Sequence, residues 1–157
     1  MKHLLLSIFI ISVLFSCTQS ATLTETEKAT IIADIQLTLN DYHNAIKKSG
    51  LTAELKYLDS SADFFWVPPG YTAPISYDSV VSILKQNAPQ FSHIDNSFKS
   101  LRIIPLTKEL ASYTGQVDSK MTDTSAKMIT VSLIETGVLI KRTDGWKLLH
   151  GQTAVLN

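Results

Sequence analysis

Residues 145–155, GWKLLHGQTAV, follow directly on Asp144 and precede only Leu156 and Asn157. Asp144-Gly145 is a hairpin signal, because a tight turn between paired strands needs the positive φ that glycine takes without strain. The run after it therefore reads as a strand folded back on the segment before it. Side chains alternate across a strand. Trp146, Leu148, His150, Gln152 and Ala154 are expected on one face, and Lys147, Leu149, Gly151, Thr153 and Val155 on the other. Upstream, roughly 97–106, 109–119 and 126–142 are three more β-prone segments. Lys108-Glu109, Met121 to Ser125 and Thr143-Asp144-Gly145 mark the turns between them.

The first half of the chain has a different period. Thr24 and Glu27 form a T-x-x-E capping box, and Ile31, Ile35, Leu39, Tyr42 and Ile46 then recur every three or four residues. That is one face of a long helix. Lys47 and Lys48 suit its C-terminal dipole, and Gly50 suits its cap. Leu51 to Leu58 reads as a second, short helix. Phe64-Phe65-Trp66-Val67 is aromatic and β-prone, and Pro68-Pro69-Gly70 stops it. Ser76 or Asp78 caps a third helix with Val80, Val81, Ile83 and Leu84 turned inward, ended by Asn87 and Pro89. Three helices and one early strand, followed by a run of antiparallel strands, give an α+β fold with helices packed on one face of a curved sheet.

The 157 residues suit one domain with a real core. Formal net charge is zero, and no basic stripe occurs, so nucleic acid is not an expected partner. The start, MKHLLLSIFIISVLFSC, stands apart. Lys2 precedes an uncharged apolar run, Leu4 to Phe15, that is too short to span a membrane and reads as an export signal. Cys17 is the single cysteine, which excludes an intramolecular disulfide. Leu14-Phe15-Ser16-Cys17 resembles a bacterial lipobox, in which the cysteine is lipidated and becomes the first mature residue. The resemblance implies a signal peptide over 1–16; the small polar residues that follow read as a tether over 17–24, which leaves a single domain over 25–157. It also implies an exported cell-envelope lipoprotein, of the outer membrane and facing the periplasm or the surface. Several acyl chains, at about 0.8 kcal/mol per buried methylene, hold a membrane where one is marginal.

The order of elements resembles the nuclear transport factor 2-like superfamily in its SnoaL-like branch. Three places carry the resemblance over about residues 25–157. They are the long helix bearing Tyr42 and closing at Gly50, the D-F-F-W-V-P-P-G strand with the helix over 78–87, and the closing G-W-K-L-L-H-G-Q. The family fold is a cone in which a bent sheet wraps a helix around a pocket. Its members include isomerases, cyclases, dehydratases and subunits without activity. In the ketosteroid isomerase branch a catalytic aspartate stands where this chain has Val67, which moves no proton. The family's oxyanion tyrosine falls nearest Tyr42 or His43. Gln152 and Ala154 stand where a second histidine and a serine are common.

By that resemblance the Trp146 face lines the cone. His150 and Gln152 are then polar groups in an apolar pocket, with His150 either an acid–base or ligand-binding group or a structural histidine. Tyr42 turns inward on the first helix. Trp66 lines the pocket mouth or fills the core. Tyr113 faces the pocket or a partner sheet. Glu135 is the single carboxylate of the apolar segment 128–140, a pocket acid or an interface residue. His43, His93 and His150 lack metal-ligand spacing, and His93-x-Asp95 reads as a loop pair. No metal or cofactor is expected, and no nucleotide motif occurs. The expected function is a membrane-anchored module binding a small, mostly apolar ligand through Tyr42, Trp66, Tyr113, Trp146, His150 and Gln152. The alternatives are an isomerase- or dehydratase-type enzyme using His150 or Glu135, and a dimerising interaction module with a filled cone. Apolar residues on both faces of 128–138 suit a homodimer.

Overall fold

A computed structural model describes residues 22–156. The signal peptide, Cys17 and most of the expected tether lie outside the described residues. Helix α1 spans Glu25–Ser49, and its start is the capping box read from the sequence. Thr24 Oγ1 accepts from the Glu27 amide at 3.2 Å, and Glu27 Oε2 accepts from the Thr24 amide at 2.9 Å. Ile31, Ile35, Leu39, His43 and Ile46 are its buried stripe. Gly50, at φ 82°, ends the helix and returns its amide to the Ile46 carbonyl. A 3-10 helix, Leu51–Tyr57, follows. Strand β1 is short, Phe65–Val67. Helix α2, Tyr77–Asn87, is capped by Ser76 and buries Val80 and Leu84.

Four long strands complete the chain: β2 Phe91–Pro105, β3 Leu110–Asp123, β4 Met128–Arg142 and β5 Gly145–Val155. They form one sheet in the order β1-β5-β4-β3-β2. All pairings are antiparallel except β1 with β5, which is parallel. Helix α1 packs on the inner face of the sheet, mainly against β2. The core gathers Ile31, Ile35 and Leu39 of α1, Ala111 and Tyr113 of β3, Leu139 of β4, and Trp146 and Leu148 of β5. This is the expected α+β curved-sheet architecture.

Three expectations change. Strand β2 begins at Phe91, so His93 and Asp95 belong to a strand and not a loop. Asp95 is held there by Lys47 at 2.8 Å. Strand β3 continues to Asp123, and the turn is confined to the few residues after it, where Asp123 Oδ1 accepts the Ser125 and Lys127 amides. Two of the long strands also break their alternation. Beside Lys99 in β2 and Leu149 in β5 the register slips by one residue, and side chains beyond each slip change face.

Candidate functional site

The slip in β5 decides what faces the interior. Leu148 pairs with Leu139 and His150 with Val138, so Leu149 is left over as a bulge. Before it, Trp146 and Leu148 point inward and are buried. After it the inward positions are Gly151, Thr153 and Val155. His150 and Gln152 therefore sit on the outer face, not in the interior where strict alternation puts them. The His150 ring lies flat on the Phe65 ring, 4.7 Å between centroids and 4° between planes, which pairs the outer residues of β5 and β1. Gln152 is exposed.

The interior beyond the bulge is shaped by glycine. Gly137 and Gly151 are register partners, and Trp66 crosses over both. A β-carbon on Gly151 would meet Gly137 Cα and Trp66 Cζ3, each at 2.8 Å, and one on Gly137 would meet Tyr113 Cε1 at 2.9 Å. Only residues without a side chain let the indole lie this close to the sheet. Its Nε1 donates to Thr153 Oγ1 at 3.1 Å, which fixes the ring from the strand end.

Between this platform and the helices lies a cavity of about 170 Å³. Its apolar wall comes from Leu58, Phe64, Trp66, Ile75, Val80 and Leu84, with Leu148 below. Its polar groups are Tyr42 of α1, Glu54 of the 3-10 helix, Glu135 of β4 and Thr153 of β5. Tyr42 Oη donates to Glu54 Oε2 at 3.2 Å. Tyr113 lies behind Glu135, and its hydroxyl reaches Glu135 Oε2 at 3.5 Å, the outer limit of a hydrogen bond. The cavity is thus served by two tyrosine–glutamate pairs from four elements.

Burial sets the charge of these groups. Removal from water raises the Glu135 pKa to about 7, against the lowering effect of the Tyr113 hydroxyl. It raises Glu54 to about 8, with the Tyr42 hydroxyl lowering it and the nearby Glu135 charge raising it further. Tyr42 and Tyr113 rise well above the ordinary tyrosine value for the same reason, desolvation first and then the neighbouring carboxylates. Both phenols are neutral donors at physiological pH. Carboxyl groups poised near neutrality can hold or pass a proton there.

Of the residues singled out in the sequence, Tyr42, Trp66 and Glu135 stand at the cavity. Tyr113 stands behind Glu135. Trp146 is buried below the site, outside the lining, with its ring under Lys141 Nζ at 5.6 Å. His43, the alternative oxyanion position, is buried and stacked on Phe98 at 4.5 Å. Desolvation lowers its pKa to about 4, so it is neutral. Glu54 was missed. Its signal was available: it occupies a stretch with Leu51, Leu55 and Leu58, where a carboxylate among apolar residues needs a reason to be half-buried. One further carboxylate is structural. Asp59 receives Arg142 Nε at 2.6 Å and Nη2 at 3.1 Å, and this pair ties the segment after the 3-10 helix to the end of β4. Arg142 is the first cause holding the Asp59 pKa down at about 2. No group of three or more histidine, cysteine or acidic side chains placed to hold a metal occurs among the described residues.

The family model for the SnoaL-like domain matches residues 35–156. The chain belongs to the SnoaL-like family. Solved structures similar to this SnoaL-like domain share its fold at low sequence identity. A candidate scytalone dehydratase from Novosphingobium aromaticivorans DSM 12444 superposes with a TM-score of 0.76 at 10% identity, over 85% of this chain and 89% of that one. A nuclear transport factor 2-like superfamily protein from Salmonella enterica serovar Typhimurium LT2 gives 0.71 at 14% identity, over 82% and 93%. Hexachlorocyclohexane dehydrochlorinase LinA-type3 from Novosphingobium barchaimii LL02 gives 0.68 at 13% identity, over 85% and 92%. No curated protein matches the sequence.

Proposed function

We propose that this SnoaL-like domain binds a small, mostly apolar organic molecule in the Tyr42–Glu54–Glu135 cavity, as a binding module anchored to the cell envelope through Cys17. The observation that carries the reading is the cavity itself. About 170 Å³ stays open between helices and sheet, walled by apolar side chains and served by a few convergent polar groups. A cone packed shut by side chains would have spoken for an interaction module instead. The test is native mass spectrometry of the protein purified from its producing cell, beside Ile75→Trp, which fills the cavity. A retained small molecule that the folded variant lacks supports the reading. A wild-type protein that carries nothing and binds no member of an apolar ligand library refutes it.

A second reading, an enzyme that moves a proton, is favoured by one observation. Glu135 and Glu54 are held near neutrality beside an apolar space. In that reading one carboxylate takes a proton from a carbon or oxygen of the ligand and the Tyr42 hydroxyl steadies the developing charge. His150 has no part in it, since it lies on the outer face. Exchange of an acidic C–H of a bound ligand with deuterated water, abolished in Glu135→Gln, supports the enzyme. Exchange unchanged in that variant and in Glu54→Gln removes it. The envelope address rests on the lipobox resemblance at Leu14-Phe15-Ser16-Cys17. A homodimer is supported by the partly buried Ile134, Val138 and Ile140, which project with exposed Phe65 from the outer face of the sheet.

A further inference from the structure

The two carboxylates specify more than a cavity. Provided that the site binds a small molecule, as proposed above, they also set the chemistry of that molecule. Each glutamate has one oxygen engaged by a tyrosine hydroxyl. Among the described residues no group donates to either Oε1. Glu135 is itself more than nine-tenths buried, at 8% exposure. The residues lining the cavity include no lysine, arginine or histidine. An anionic ligand would meet two acidic groups with nothing to offset its charge. A hydrocarbon would leave two desolvated carboxyl groups short of partners.

We propose that the ligand is a small amine bound as its ammonium ion, with an apolar body about the size of one six-membered ring. An ammonium group brings hydrogen-bond donors and a positive charge that stabilises the carboxyls in their ionised form. Phe64 and Trp66 stand in the wall, and aromatic rings there favour a cation over an anion. Size follows from volume: a cavity of about 150 Å³ is known to take a benzene ring. The titratable groups facing the site are Tyr42 from α1, Glu54 from the 3-10 helix, Tyr113 from β3 and Glu135 from β4, and the lining residues from α2, β1 and β5 carry none. In the empty site both carboxyls hold much of their protons at neutral pH, so the ammonium ion binds with proton release.

Isothermal titration of the full-length protein in detergent, with benzylamine, benzyl alcohol and benzoate as probes, tests this. Benzylamine is expected to bind about 10-fold or more tighter than benzyl alcohol, as charge-assisted hydrogen bonds require, and benzoate weakest of the three. Benzylamine affinity is expected to rise from pH 6 to pH 8.5, with a heat that varies with buffer ionisation enthalpy. The Glu54→Gln/Glu135→Gln double variant, checked for folding by circular dichroism, is expected to bind amine and alcohol equally. Benzyl alcohol binding as tightly as benzylamine, or benzoate binding tighter, overturns the amine inference and leaves the cavity reading standing. Failure of all three probes to bind overturns both.

Discussion

Replacing Glu54 by glutamine is expected to stabilise the protein increasingly as pH rises. The carboxyl has a pKa of about 8 in the folded chain against an ordinary 4.5. A carboxyl with a raised folded pKa binds more protons folded than unfolded. Its native environment is therefore best tolerated below pH 4.5, and stability is lost progressively as pH rises from about 4.5 to about 8, levelling off above. The gap of about 3.5 pH units, at about 1.4 kcal/mol each, puts the full penalty near 5 kcal/mol. Solvent reaching the cavity-facing oxygen makes this an upper figure. Other groups titrate in the same range. His43, lowered to about 4, makes stability rise with pH between about 4 and 6.5, against the carboxylate trend. His43 and Glu135 are present in both proteins, so the difference between variant and wild type reports Glu54 together with its repulsion from the Glu135 charge, which titrates at about 7. The assay is urea unfolding at pH 5, 7 and 9, followed by tryptophan fluorescence. Glu54→Gln should be near-neutral at pH 5 and more stable than wild type by about 2 kcal/mol or more at pH 9. A stability difference that stays constant from pH 5 to pH 9 would refute the claim that burial governs this carboxyl.

Other outcomes are expected from the same structure. Gly151→Ala should destabilise by about 1–3 kcal/mol in thermal unfolding, because its new methyl meets Gly137 and Trp66 at 2.8 Å. Arg142→Ala should cost about 1–3 kcal/mol at pH 7 by stranding the buried Asp59. That cost should fade as pH falls toward 2, where the wild-type Asp59 also takes up its proton. His150→Ala should leave ligand affinity unchanged in a titration, since the ring stacks outside on Phe65. A 10-fold loss would place His150 back in the site. Cys17→Ala should release the protein from the membrane fraction, and unchanged fractionation would exclude the anchor.

Much of the fold was legible because its signals are local. The Thr24–Glu27 capping box, the apolar stripe from Ile31 to Ile46, Gly50 at positive φ and the Asp144-Gly145 turn each act within a few residues. The site was legible in part. Tyr42 and Glu135 showed themselves as polar groups on apolar faces, and both reach the cavity. His150 and Gln152 misled because strict alternation assumes an unbroken ladder. The extra residue at Leu149 arises from how β5 meets β4, and no residue type within GWKLLHGQTAV announces it. Glu54 carried a local signal, a carboxylate in an apolar stretch, but nothing local tied it to the site. Its partners Tyr42 and Glu135 are 12 and 81 positions away along the chain, brought together only when the sheet closes over α1.

Two carboxyls, the half-buried Glu54 and the buried Glu135, form the polar end of the ligand cavity. Carbon-13 NMR of glutamate carboxyl groups across a pH titration tests this most directly, with Glu54→Gln and Glu135→Gln supplying the assignments. Two resonances are expected to titrate about 2 to 4 pH units above the ordinary 4.5, at about 8 and about 7, and both should move when benzylamine is added. If both instead titrate between about 4 and 5 and ignore the added ligand, the cavity is not the functional site.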